Sequence, residues 1–460
     1  MKLPIDFEQA MTVYLGNEAY QLLAEALCMP APTSIRINGD KTGIERLDIL
    51  HEAERVPWCE DGFYLPERPP FTFDPLFHAG CYYVQEASSM FLAHILRHYV
   101  KAPIVALDLC AAPGGKSTLA LSHLPQGSLL ISNEVIRQRA NILAENIIKW
   151  GNAYSIVTNN YAQDFQPLGT MFDLIICDAP CSGEGMFRKD PASIDEWSLN
   201  NVEVCRKRQR DIAQDIWQTL KDDGLFIYST CTYNPHEDEE NVLWIAETLG
   251  AEILSSHPLP EWGLTEKNTH FFPHKHKGEG FFISVLRKHP SDSENHSSAA
   301  SKNFGKKKDK SKKQATKIPA ELQTWLTDQQ EFTFYEDSET FHAFPTLYLP
   351  ILQQVKQHLK VLHAGIDLAT MKGKNWQPCH SLALSNHLHP QAFHHAEVNE
   401  EQAIAYLRTE AIQLPADTPT GYVLITYQGH PLGFAKNIGN RANNLYPAEW
   451  KIKSTYIPKK

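Results

Sequence analysis

Asp108-Leu109-Cys110-Ala111-Ala112-Pro113-Gly114-Gly115-Lys116-Ser117-Thr118-Leu119-Ala120 passes from an apolar run through a small-residue turn into the start of a helix. In a doubly wound sheet, that order of events marks the carboxyl end of a strand, where nucleotides bind. Small residues let the backbone approach a ligand, and the free N–H groups of a helix start can meet an anionic group such as a carboxylate. Two rival readings fail on spacing. A phosphate-binding loop ending in Gly115-Lys116-Ser117 needs a glycine where the chain has Cys110, and the G-x-G-x-x-G pattern of dinucleotide enzymes is absent.

Outward from that loop, near-continuous apolar runs predict strands over residues 104–109, 128–133, 154–158, 172–177, 224–229 and 280–286, with helices over 135–150 and 203–220 between them. Strands this apolar are covered on both faces, so the expected class is α/β with a parallel sheet and crossover helices. Glu134 closes the second strand, where an acid can accept hydrogen bonds from ribose hydroxyls; the competing reading is a charge stabilising the dipole of the next helix.

The rest of the chain divides around this core. Residues 1–78 read as a small α/β appendage with a helical start over 7–27 and a strand-like stretch over 34–38. The parallel-sheet core follows over 79–290. A Lys/Ser-rich tether over 291–317 cannot bury a core, and beyond it come a connecting subdomain, 318–390, and a β-rich module, 391–460, that includes the apolar run 421–427. The N-terminus has no secretory pattern and no apolar stretch approaches the ~20 residues needed to span a bilayer, so no membrane partner and a cytoplasmic location are expected. Nine cysteines without a framework read as reduced thiols, and Cys177 with Cys181 lacks the second ligand pair of a zinc site, so no metal is expected. The net charge of -11 leaves nucleic-acid binding to local basic patches.

Two further strand ends carry chemistry: Cys177-Asp178-Ala179-Pro180-Cys181-Ser182-Gly183 and Ser229-Thr230-Cys231-Thr232. Both fall on the edge of the sheet where ligands bind, so Asp178, Cys181 and Cys231 should converge beside the cofactor loop. That set suits methylation of a cytosine ring carbon. Carbon 5 is a poor nucleophile until a thiolate adds to carbon 6 and makes an enamine, and an acid such as Asp178 must hold nitrogen 3 during the addition. A lone cysteine at a strand end is usually a small buried hydrophobe; two at adjacent strand ends favour chemistry. The residues alone leave either thiol as the nucleophile.

At these residues the chain resembles the Sun/Nol family of RNA 5-methylcytosine methyltransferases. The likeness rests on the stretches Cys110 to Lys116, Asp178 to Gly183, Arg188-Lys189-Asp190-Pro191 and Ser229 to Thr232, and spans about residues 30–290. It implies a Rossmann-like class I methyltransferase domain using S-adenosyl-L-methionine, held by Cys110, Ala111, Ala112, Pro113, Gly114, Gly115, Lys116, Glu134 and Asp178. It also implies that Cys231 is the nucleophile and that Cys181 helps the product leave. The chain departs from the pattern at the third strand end, Thr158-Asn159-Asn160-Tyr161, where the family usually has an acid for the adenine amino group. Asn160, or else Asp164, is expected to take that contact. Tyr406-Leu407-Arg408, Gly433-Phe434-Ala435-Lys436 and Asn443-Asn444-Leu445-Tyr446-Pro447 resemble the PUA-like modules of the bacterial rRNA branch called RsmF. The implied partner is RNA, small-subunit rRNA or the 30S subunit, with Arg188, Lys189, Lys436 and Arg441 as phosphate contacts. A tRNA substrate and an idle ribosome assembly factor are the alternatives.

Overall fold

The computed structural model describes residues 2–290, 319–373 and 375–454; the lysine-rich tether lies outside them. Its centre is a nine-stranded sheet. Along the sheet the order is Ala251–Leu254, Phe281–Lys288, Leu220–Thr230, Phe172–Asp178, Val105–Asp108, Leu129–Asn133, Ser155–Thr158 and Val361–Ala364, with Thr269–Phe271 paired to Phe281–Lys288. The five strands from Leu220–Thr230 to Ser155–Thr158 run parallel, and the flanking strands are antiparallel. The chain winds from Val105–Asp108 toward Leu129–Asn133 and Ser155–Thr158, then crosses back to Phe172–Asp178. The crevice therefore opens between Val105–Asp108 and Phe172–Asp178, at the reversal of strand order. Apolar residues fill both faces: Ala106, Leu130 and Ile176 on one, Leu107, Ile131 and Ile175 on the other. That explains strands without polar alternation.

The N-terminal region forms two helices, Ile5–Leu15 and Asn17–Cys28, rather than one run, because Gly16 sits between them at φ 84°. Phe7, Met11, Tyr20, Leu23 and Leu27 pack against Phe187, Trp197, Tyr233 and Phe272, so these helices brace the segments that follow the two cysteine strands. A four-stranded antiparallel sheet, ordered Glu54–Arg55, Gly62–Leu65, Thr33–Ile37 and Tyr82–Val84, comes next. Its last strand lies beyond residue 78, where the sequence places the end of the appendage. Arg36, fully buried, ties this sheet to the central domain: it donates to Gln85 Oε1 at 2.9 Å and Thr118 Oγ1 at 2.7 Å and lies 4.5 Å over the Trp150 ring.

The C-terminal half holds two more four-stranded sheets, Phe332–Asp337 with Thr340–Pro345, Ile366–Lys372 and Asn375–Pro378, and His394–Glu397 with Gly421–Tyr427, His430–Asn437 and Ala442–Asn444. Neither stands apart. Val361–Ala364 completes the central sheet, and Ala396, Tyr406, Val423, Ile425 and Leu432 share one core with Ile35, Phe63 and Tyr82 of the N-terminal sheet and with Leu76 of the short helix Pro75–His78. No described helix is long and apolar enough to cross a membrane.

Candidate active site

Gly114, at φ 117°, turns the chain from the first strand into the helix Gly115–His123, whose first N–H groups have no partner inside the helix. Neighbouring side chains hold the turn: Arg139 donates to Ala112 O at 2.8 Å and Asn146 to Pro113 O at 2.8 Å. Beneath it, Asp108 is fully buried, accepts from Ser117 Oγ at 2.6 Å, and keeps its Oδ1 without a partner. Burial pushes its carboxyl up to about 7, against the opposing pull of the Ser117 hydroxyl.

Two cavities meet at this turn. One, about 730 Å³, is lined by Cys110, Ala112, Glu134, Val135, Ile136 and Pro180 among others; the second, about 330 Å³, by Tyr83, Gln85, Lys116, Gly185, Glu279 and Phe281 among others. Asp178, Met186 and Cys231 line both. The larger cavity suits an adenosyl group. Val135 and Ile136 are 41% and 52% exposed, an apolar wall left open at its edge, and Glu134 stands beside them. The Glu134 carboxylate accepts the Ile136 N–H at 2.9 Å and pairs with Arg139 at 3.3 Å, so the helix-start role and a place in the cavity wall coexist.

At the junction, Cys181 Sγ and Cys231 Sγ lie 3.1 Å apart. The Cys231 thiol, and then burial, push the Cys181 thiol well up from its ordinary range. Asp178 receives Lys116 Nζ at 2.8 Å and the Ser229 hydroxyl at 2.8 Å. Burial alone would lower the Lys116 ammonium, but Asp178, Asp108 and Cys231 outweigh it and hold the group charged. Lys116 also lies 4.8 Å from the Phe281 ring. It lines the smaller cavity, as Ala111, Pro113 and Gly115 of the same loop do. The charge of Asp178 draws the ammonium there.

Two expectations need correction. Asn160 Oδ1 already accepts the Lys360 N–H at 3.0 Å, because Val361–Ala364 docks beside it, and Asp164 accepts the Tyr161 N–H at 2.9 Å as a helix-start cap. Asn160 still lines the larger cavity, whereas Asp164 does not. Arg188 is only 6% exposed and donates to Glu279 at 3.0 Å and to the Gly278 carbonyl; it is a structural cation and not a phosphate contact. Lys189, 36% exposed, stays at the cavity rim, 3.7 Å from Glu279. Lys436, on the C-terminal sheet, lies 5.2 Å over the Tyr422 ring and Arg441 is exposed in the turn before Ala442–Asn444; neither lines the two cavities. Cys110 and Cys177 form a second, deeper thiol pair.

Sequence reasoning missed the clamp behind the thiols. Glu184 accepts from the Tyr233 N–H at 2.6 Å, Asn234 Nδ2 at 2.9 Å and Trp197 Nε1 at 3.0 Å; Glu237 accepts from the Ser182 N–H at 3.0 Å, Gln209 at 2.7 Å and Asn234 at 2.9 Å. One side-chain amide thus bridges two buried carboxylates, each gripping the backbone next to one cysteine. Gly185 N–H adds a 2.8 Å bond to Cys231 O, at a spot where a Cβ would meet that oxygen at 2.9 Å. Glu237-Asp238-Glu239-Glu240 looks like solvated surface charge in sequence, yet Glu237 and Asp238 are fully buried. Arg208, within a basic run that reads as helix decoration, lines the larger cavity.

Comparison with known proteins adds a further layer. Residues 101–287 match the family model of the 16S rRNA methyltransferase RsmB/F, residues 3–87 the N-terminal domain of 16S rRNA methyltransferase RsmF, and residues 393–452 the methyltransferase RsmF PUA domain. The ribosomal RNA small subunit methyltransferase F of Aliivibrio fischeri is 31% identical over 96% of this chain and 95% of its own length. The protein of the same name from Pectobacterium atrosepticum is 31% identical over 97% and 95%. A methyltransferase homolog protein from Pyrococcus horikoshii superposes with a TM-score of 0.53 at 28% identity, covering 61% of this chain and 94% of that one. NSun6 from the same organism shares the fold, with a TM-score of 0.55 at 21% identity over 63% and 99%.

Proposed function

From the premise that the chain belongs to the 16S rRNA methyltransferase RsmB/F family, we propose that it methylates carbon 5 of a cytosine in small-subunit rRNA, with Cys231 as covalent nucleophile. The observation that carries this reading is the 3.1 Å thiol pair at the junction of two cavities, beside an ion-paired Asp178. The larger cavity is the place for S-adenosyl-L-methionine, which supplies an electrophilic methyl group when bound. The fit rests on the orphaned, buried Asp108 Oδ1 and the open helix start, next to an apolar slot with an acid at its edge. Cys110 and Ala112, which line both cavities, would meet the methionine end and Glu134 the ribose.

The smaller cavity takes the cytosine, turned out of its strand as chemistry on a base requires. Cys181 keeps its proton and lies 3.1 Å from Cys231, which is the sulfur assigned to the attack. The Cys231 sulfur bonds to carbon 6 as nitrogen 3 takes up a proton from solvent, and the Asp178 carboxylate, steadied by Lys116 and Ser229, accepts a hydrogen bond from that N–H; the ring's electron pair moves to carbon 5, which would take the methyl group, and the nitrogen 3 proton returns to solvent on release. Release reverses the addition. Cys181 passes its proton to the departing Cys231 sulfur and replaces it with the one from carbon 5.

Denaturing electrophoresis of variants incubated with cofactor and RNA tests the roles. Cys181→Ala should accumulate a covalent protein–RNA adduct and Cys231→Ala none; the reverse pattern overturns the assignment. Bisulfite sequencing of 16S rRNA and tRNA from a deletion strain tests the substrate, with a lost mark expected only in 16S rRNA. Parallel reactions on naked 16S rRNA and on 30S subunits then decide which form is recognised.

A further inference from the structure

We propose that a cleft between the N-terminal sheet and the Lys189 segment holds the single-stranded RNA flanking the target cytosine, with Arg68 and Lys189 gripping its phosphates. This rests on the reading of the smaller cavity as the base pocket.

The cleft, about 630 Å³, is walled by Pro30, Ala31 and Pro32 on one side and shares Val84, Gln85, Glu86 and Lys189 with the smaller cavity. A base turned into that cavity leaves its sugar and phosphates at the mouth, so neighbouring nucleotides must run along whatever surface adjoins it. The cleft is that surface, and it has nearly twice the 330 Å³ of the base pocket.

Its charges suit a phosphate backbone. Arg68 is exposed, lies 5.4 Å over the Phe71 ring and makes no ion pair among the described residues. Lys189 approaches Glu279 only to 3.7 Å, leaving its ammonium able to take a further partner. The one acid in the lining does not oppose them. Glu86 spends its oxygens on the N–H groups of Ser88 at 2.9 Å, Ser89 at 2.8 Å and Glu279 at 3.0 Å, which draw its charge inward. The walls are also rigid. The two prolines fix backbone angles, and Ser34 bonds to Gln85 O at 2.6 Å, so an incoming strand meets a formed groove.

The test uses the full chain and a fluorescent single-stranded RNA carrying one cytosine. Arg68→Ala should weaken binding roughly tenfold, the size of one charge-assisted phosphate contact. The slope of log affinity against log salt should fall by about 0.7. In a set of RNAs each bearing one neutral methylphosphonate linkage, the linkage that costs the wild type most should cost Arg68→Ala nothing further. Unchanged affinity and slope, or a variant as sensitive as wild type at every linkage, overturns the proposal. A 5-fluorocytidine RNA separates the two claims. If the wild type traps it covalently while Arg68→Ala binds like wild type, the cleft assignment alone fails; if the wild type traps nothing, the catalytic reading beneath it fails.

Discussion

Lys116 and Arg188 show how a single cation is given its task by its neighbours. Lys116 sits one residue past the glycine turn, yet the 2.8 Å pair with Asp178 turns it toward the base side of the crevice. Lys116→Gln should therefore lower kcat/KM by about 10²- to 10³-fold, the loss expected when a preorganised charge at a reacting centre is removed. Cofactor affinity, measured by calorimetry, should change by less than about threefold if the side chain touches only the base side. A large loss of cofactor affinity would return Lys116 to the cofactor loop. The side chains of Arg188 and Glu279 are 6% and 3% exposed and pair at 3.0 Å at the edge of the smaller cavity, with Lys189 a second, longer partner of Glu279. Arg188→Ala leaves the Glu279 carboxylate with only Lys189, at 3.7 Å, as a charge partner and should cost about 1–3 kcal/mol of stability in chemical denaturation. A variant as stable as wild type but weak in RNA binding would reinstate the phosphate contact.

At the scale of elements, two strand ends are held in register by acids no strand pattern reveals. Glu184 stands at the start of a short turn after Cys181, and Glu237 in the turn after Cys231; Asn234 joins them. Burial, then the charge of Glu237, pushes the Glu184 carboxyl from its ordinary 4.5 to about 7, against three hydrogen bonds that favour the ion. A raised value means the folded state prefers the protonated form. Stability from this group is therefore full below about pH 4 and is lost as the pH rises through about 7. Glu184→Gln carries no titrating proton, so its stability should fall less than that of the wild type between pH 5 and pH 8, by up to about 3 kcal/mol. Denaturant titrations at both ends of that range check this, and parallel declines in the two proteins would sink it.

Across the whole molecule, the C-terminal half is part of the central fold. Val361–Ala364 covers the edge of Ser155–Thr158, Tyr348 donates to Gly127 O at 2.6 Å, and Phe344, Leu352 and Val355 join the core on one face of the sheet. A chain ended at residue 290 would expose that edge strand together with the apolar residues beneath it. Exposed edges recruit other strands, so the shortened chain should aggregate in light scattering under conditions where the full chain stays monodisperse. In calorimetry the full chain should unfold its catalytic and C-terminal parts in one transition, since shared cores couple them. A soluble fragment with an unchanged melting point would show the halves to be independent.

The amino-acid sequence by itself determined the class of the fold and the three strand ends that carry chemistry. Fully apolar strands, a small-residue turn before a helix, and paired cysteines are local patterns, and the rules that place strand ends on one edge of a parallel sheet are general. The two helices over 5–28, the strand at 33–37 and the strand at 421–427 were likewise legible from spacing, apart from the break at Gly16. What only the tertiary structure decided was direction and burial. The side to which Lys116 turns, the enclosure of Arg188, the capture of Asn160 by Lys360 and the sinking of Glu237 and Asp238 each depend on a partner distant in sequence. Charge patterns in sequence carry no record of which charges are buried, because a buried charge is set by the geometry of the partner that satisfies it.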